Sequence, residues 1–213
     1  VTGLSASGKS IALLLDMYEK KQFAPASFDL PAAERIRNSN KEDARAIAIW
    51  DAVKNRYEAE RKAFKSKLTK YMAIAEKKGG EAKAGKVLFQ TCLLCHKVGN
   101  EGKNIAPALD GSASRENEAL LTAILDPDAA VESNYAVYRI TKKNGSTIEG
   151  YLVNKNNRGT TIAFMGGSQV FVEAGAIQSQ GFLGGRSFMV KGLIDQYSDK
   201  QVADLLAYIR TIK

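Results

Sequence analysis

Cys92-Leu93-Leu94-Cys95-His96 holds both cysteines and the single histidine of the chain. Two thiols three positions apart sit on one side of a tight helical turn, and the next side chain points at whatever the thiols hold. This spacing is that of a c-type haem attachment site: the sulfurs bond the haem vinyl groups as thioethers and the imidazole becomes the proximal iron ligand. Three other chemistries use the same atoms. A redox dithiol belongs beside a βαβ unit, whereas Glu81 to Phe89 reads as a helix; a structural disulfide needs only the two sulfurs; and zinc wants about four ligands, so carboxylates or water would have to complete the set.

The elements that must position this pentapeptide are legible around it. Glu81 to Thr91 is a helix with Gly85, Leu88 and Phe89 on the side leading into the site. Asn104 to Gly111 is a loop containing Pro107. Ser114 is expected to cap a helix with Leu120, Leu121, Ile124 and Leu125 on its apolar face, stopped by Pro127. The period then changes from 3.6 to 2. Tyr135 to Lys142 and Thr147 to Val153 flank the Asn144-Gly145 turn signal, and Thr160 to Met165 and Gln169 to Val172 flank Gly166-Gly167. A small antiparallel β insertion at about 133–180 follows, either a docking surface or a lid. Ser198-Asp199-Lys200-Gln201 is a capping box for a last helix with Val202, Leu205, Leu206 and Ile209 on one face.

Upstream, Ile11, Leu14, Leu15 and Tyr18 recur at helical spacing, and Pro25 and Pro31 punctuate a loop. Asn40 is placed to cap a helix from Lys41 through Ile47, Trp50, Val53 and Tyr57, with Phe64, Leu68, Tyr71 and Met72 continuing its stripe. This lead-in reads as the end of a helical-repeat array, though about two units are fewer than such arrays need. Gly79-Gly80 marks the expected boundary, giving 1–78 as helical lead-in and 79–213 as the site-bearing domain. Gly3-Leu4-Ser5-Ala6-Ser7-Gly8-Lys9-Ser10 matches the phosphate-loop pattern letter for letter, but only Val1 and Thr2 precede it where a buried strand is required. It is read as a turn.

The bounds are wide. A 213-residue chain with 45% hydrophobic content can bury a real core. No apolar run is long enough to span a membrane. The start at Val1, without a leader, reads as a processed protein or a piece of a longer one. Net charge is +8, with lysine and arginine dense from Lys54 to Lys86. A basic helix is usually a solvated face; its functional reading is steering toward an acidic protein, since no nucleic-acid motif accompanies it.

Gly85 to Phe89, Cys92 to His96, Ala106 to Gly111, Ile124 to Pro127, Gly145 with Gly150, Ser187-Phe188-Met189 and Ser198 to Tyr208 together resemble the haem-binding domain that closes large, exported, multidomain bacterial proteins, often behind helical repeats and dehydrogenase-like β-propellers. The resemblance runs from about Leu68 to Lys213, with Ala106 where that family usually has Gly and Val190 where Pro commonly follows the methionine. It implies a mostly α, cytochrome c-like helical domain carrying the β insertion and preceded by a helical segment. It also implies one covalently attached haem c, a periplasmic or otherwise exported location, and a last helix crossing the first, with Gly85 and Phe89 meeting Leu205 and Tyr208.

On the same resemblance, Pro107 lends its carbonyl to the proximal imidazole. With one histidine, bis-His ligation within the chain is impossible, and four methionines remain for the sixth position. Met17 and Met72 fall in the helical lead-in and Met165 ends an expected strand. Met189 lies in the irregular stretch before the last helix, where cytochrome c folds present this ligand. The expected activity is electron transfer between a dehydrogenase domain or partner and a respiratory acceptor, rather than catalysis. A haem enzyme or gas sensor with an open distal site is the alternative, and a binding module with a structural haem is a third.

Overall fold

The structure, a computed structural model, describes residues 8–77 and 79–213. Most of Gly3 to Ser10, and Lys78 just before the expected boundary, lie outside the described residues. The chain divides into two compact units, with the division between Ser66 and Lys67. The second unit thus begins ahead of the glycine pair.

In the first unit, α1 (Gly8–Glu19), α2 (Leu30–Ser39) and the start of α3 (Ala44–Glu76) enclose one core. Ile11, Leu14, Leu15, Phe28, Ile36, Ile49 and Val53 are buried there. Two sequence expectations are corrected. Pro31 opens α2 rather than extending a loop, because proline at a first helical turn loses only an N–H that has no helical partner; Asp29 caps that helix through the N–H of Ala32 at 2.8 Å. Asn40 ends α2 instead of starting α3. Within the first unit the buried face of α3 is accordingly Ala46, Ile49 and Val53, while Tyr57 is exposed.

The second unit is built on two crossing helices, α4 (Ala82–Phe89) and α6 (Asp199–Ile209). Ser198 and Gln201 form the expected capping box, and Val202, Leu205, Leu206 and Ile209 are buried. The rings of Phe89 and Tyr208 lie 5.0 Å apart. At Gly85 a Cβ would fall 1.9 Å from the carbonyl oxygen of Asp204, so the crossing exists only because no side chain is there. The buried Asp204 carboxylate accepts the Glu81 N–H at 2.7 Å and is approached by Lys200 Nζ at 2.7 Å. The end of α3 packs within this unit too: Lys67 reaches Asp195 at 2.7 Å, and the Tyr71 hydroxyl donates to the Ile194 carbonyl at 3.4 Å.

Between α4 and α6 come the two-residue strands β1 (Lys97–Val98) and β2 (Glu101–Gly102), then α5 (Asn117–Leu125). Helix α5 starts later than Ser114, which sits in a preceding 3-10 turn. Five strands follow: β3 (Ala136–Lys142), β4 (Thr147–Asn156), β5 (Gly159–Ala163), β6 (Gln169–Glu173) and β7 (Ile177–Ser187). They form one antiparallel sheet in the order β6-β5-β4-β3-β7. The sheet curls far enough for Thr160 of β5 to donate to Gln180 of β7 at 2.7 Å, around a core of Tyr138, Ile140, Ile162 and Val172.

The insertion therefore reaches Ser187, past the expected end near 180, because β7 returns to pair with β3. Gly181, Gly184 and Gly185 break the alternation that would have marked it as a strand. With 48% helix and 21% strand, "mostly α" understates the sheet, and α plus β describes the chain better.

Gly85→Ala gains about 1 kcal/mol of helix propensity but forces the two helix backbones away from each other, an overpacking cost of about 1–3 kcal/mol, so net destabilisation in urea unfolding is expected. The hydrogen bond from the Glu81 N–H, then Lys200, holds the Asp204 carboxyl below its usual 3.8. Its contribution is present above that value and is lost as pH falls through the lowered pKa. Asp204→Ala should therefore unfold earlier than the parent at pH 7, with the gap closing below about pH 4.

Candidate functional site: a thiol, imidazole and thioether cavity

Behind α4 the chain tightens into a 3-10 turn, Cys92–Leu94. The Cys92 carbonyl accepts the N–H groups of both Cys95 (3.2 Å) and His96 (2.9 Å), which closes the pentapeptide on itself. The following loop then folds back. The Cys95 carbonyl accepts from Ile105 at 3.1 Å and Ala106 at 2.9 Å, and the His96 carbonyl accepts from Lys103 at 3.1 Å. This return delivers the Pro107 carbonyl to His96 Nδ1 at 2.7 Å. Nδ1 therefore carries the proton, and Nε2 is left with its lone pair. Gly102 makes the return possible: its φ is +87°, and a Cβ there would lie 2.2 Å from the His96 carbonyl oxygen.

The return loop borders a cavity of about 860 Å³, toward the upper end of the roughly 300–1,000 Å³ typical of cofactor pockets. Cys92, Cys95, His96, Pro107 and Met189 all line it. Met165 lines it too, from a turn after β5 rather than from the end of a strand, and is 53% exposed. Met17 and Met72 do not. Helix α5 contributes Leu120 and Ile124 to the wall, and the sheet contributes Tyr151.

Both cysteines are free thiols. Burial pushes the Cys92 thiol up to about 11 and raises Cys95 as well, so each is neutral near pH 7. Burial also lowers the His96 pKa, against the opposing pull of the Pro107 carbonyl, and the ring is a neutral donor. Among the described residues no group of three or more His, Cys, Asp and Glu side chains is placed to hold a metal ion together, which does not favour the zinc alternative.

Tyr151 is a site residue that sequence reasoning misses. It is buried, with its hydroxyl pushed up to about 12 mainly by burial, then by the neighbouring Cys95 and Tyr135. Its ring lies 5.3 Å from Phe188 and 6.4 Å from Tyr135. Its place in a strand between Gly150 and Leu152 gives no local sign of a cavity, because only the curl of the sheet turns it inward. The insertion thus supplies a wall of the cavity.

A cytochrome c family model matches residues 82–213. No curated protein matches the chain. The chain belongs to the cytochrome c family, and this membership implies binding of haem c. The residues present fit that group. The cavity is large and mostly apolar, is lined by two uncharged sulfurs, and holds an imidazole whose hydrogen-bonded Nδ1 leaves Nε2 free for a metal.

Gly102→Ala combines a left-handed backbone with a clash against the His96 carbonyl, and a loss of at least about 2 kcal/mol is expected. Gly99→Ala also has positive φ, +54°, but nothing lies within 4 Å of its Cβ. It should lose only about 1 kcal/mol. Denaturant unfolding of the two variants side by side checks the difference.

Proposed function

We propose that this chain is a monohaem c-type cytochrome module that carries single electrons. The observation that carries the reading is the meeting, in one largely apolar cavity, of Cys92, Cys95, a His96 oriented by Pro107, and Met189. When bound, haem supplies one-electron exchange between ferric and ferrous iron. Cys92 and Cys95 would hold it as thioethers, which two free, neutral and partly buried thiols on one cavity wall support. His96 would bind iron through Nε2, and its bond to Pro107 fixes the ring and strengthens its donor character. Met189 would be the second protein ligand to the iron, and a methionine ligand raises the potential. The apolar walls of α5 and the sheet would limit the haem's contact with water and so favour its less charged, reduced state.

Transfer of electrons needs no substrate pocket beyond this cavity. Single electrons would come from a dehydrogenase domain or partner and pass to a respiratory acceptor. The basic run from Lys54 to Lys86 suits an acidic partner protein, with steering that weakens at higher salt. No nucleic-acid role is assigned to it. Covalent haem attachment supports a periplasmic or otherwise exported location, and among the described residues no helix is long and apolar enough to cross a membrane. The lead-in, 1–78, is read as the end of a helical-repeat array ahead of the haem domain, 79–213, in a larger exported protein.

Absorption spectra of the oxidised and dithionite-reduced protein test the ligand set. A low-spin spectrum with a methionine-to-iron charge-transfer band is expected, with the band lost in Met189→Ala, slow carbon monoxide binding in the parent and fast binding in the variant. A high-spin parent spectrum that the mutation leaves unchanged would overturn Met189 ligation and favour the open-site enzyme or sensor. Retention of the band in Met189→Ala but not in Met165→Ala would move the ligand to Met165.

A further inference from the structure

The Asp126-Pro127-Asp128 turn after α5 has no role so far in haem attachment or in the electron-transfer reading, yet it is tied to the segment that carries Met189. Helix α5 ends at Leu125, and Asp126-Pro127-Asp128 turns the chain beside the cavity. Asp128 Oδ1 accepts the Ser187 N–H at 2.7 Å. Ser187 Oγ in turn accepts the Met189 N–H at 3.1 Å. On the far side of the methionine, Lys191 Nζ lies 2.8 Å from Asp126 Oδ1 and 3.0 Å from Asp128 Oδ2. Two carboxylates on one turn therefore hold the chain on both flanks of Met189, two residues before and two residues after.

The two halves of this clamp differ in strength. The Lys191 ammonium is more than half exposed, at 58%, and solvent and salt screen its pairing. The bond from the Ser187 N–H is charge-assisted and made to a carboxylate that is two-thirds buried, and bonds of this kind are the stronger sort. The segment they restrain has no regular structure of its own after β7 ends at Ser187. Without the clamp, Met189 would rely on the end of β7, where Ser187 pairs with Ala136, and on the packing of Phe188 against Tyr151.

We propose that Asp128, seconded by Asp126 and Lys191, is a positioning residue that holds Met189 at the iron. This rests on Met189 being the sixth ligand. The turn would then link α5, which walls the cavity, to the ligand segment that follows the β insertion, so that inserting a sheet between them does not loosen the ligand.

The test is made on the holoprotein, with carbon monoxide as the probe and the charge-transfer band as the second readout. Asp128→Ala should weaken the band and raise the carbon monoxide on-rate about ten- to a hundredfold, as more of the population releases methionine. Asp128→Asn, which can still accept the Ser187 N–H, should recover most of the parent behaviour. Lys191→Ala should fall between, and Lys191→Arg should restore it. Asp204→Ala, which weakens the fold away from this loop, should leave band and on-rate unchanged while the protein is folded. If Met189→Ala loses the band but Asp128→Ala keeps parent band and on-rate, the clamp is overturned and the ligand assignment stands. If Met189→Ala itself changes nothing, the ligand assignment fails first. An Asp204→Ala variant that behaves like Asp128→Ala would also overturn the clamp, since general destabilisation would then explain both.

Discussion

The hydrogen bond between His96 Nδ1 and the Pro107 carbonyl, at 2.7 Å, is the contact on which the second unit depends. It sets the tautomer, and so decides which ring nitrogen faces the cavity. Everything near it serves to bring a proline carbonyl back to a histidine eleven residues earlier. The Cys95 carbonyl takes two N–H groups from the returning loop, Gly102 lets that loop pass against the His96 carbonyl, and Gly99 donates to Asp110 at 2.8 Å across its base. Neutral, partly buried thiols and a neutral, partly buried imidazole then follow from one cause, the partial removal of water from this turn.

Around that turn the fold works as two supports. The first is the crossing of α4 and α6, where Gly85 admits the Asp204 backbone and Phe89 lies against Tyr208, so the attachment turn grows from a helix fixed at its far end. The second is the curled sheet. It is an insertion in chain order but a wall in space: Tyr135 and Tyr151 close one side of the cavity, and the Met165 turn lies beside Cys95. Covering an otherwise open edge with protein lowers the local dielectric, one of the levers that sets a haem potential.

Features carried by short-range chemistry are legible in the sequence. The pentapeptide, the capping box at Ser198, the apolar faces of α5 and α6 and both hairpins depend on neighbours within a few residues. The place of Gly85 opposite Tyr208 is legible only through the family resemblance, which implies a last helix crossing the first. What cannot be read depends on distance. The strand β7 is hidden by three glycines and exists because β3 supplies its partner. Tyr151 becomes a cavity residue only when the sheet curls. Pro31 resembles loop punctuation although the same residue suits a first helical turn, and Asn40 points to the wrong helix because asparagine serves at both ends. The Asp126 to Asp128 turn is visible as a motif, but nothing local says that its carboxylates reach across the whole insertion to residues 187 and 191.

The most direct test of the central claim, that Cys92 and Cys95 bind one haem covalently, is the intact mass of the denatured protein after acid-acetone extraction, measured on material made with the haem-attachment machinery of an exporting host. The 23.1 kDa chain plus a single haem is expected, reverting to the bare chain when both cysteines are changed to alanine. A bare-chain mass for the parent, from protein that is folded and coloured before extraction, would contradict covalent attachment.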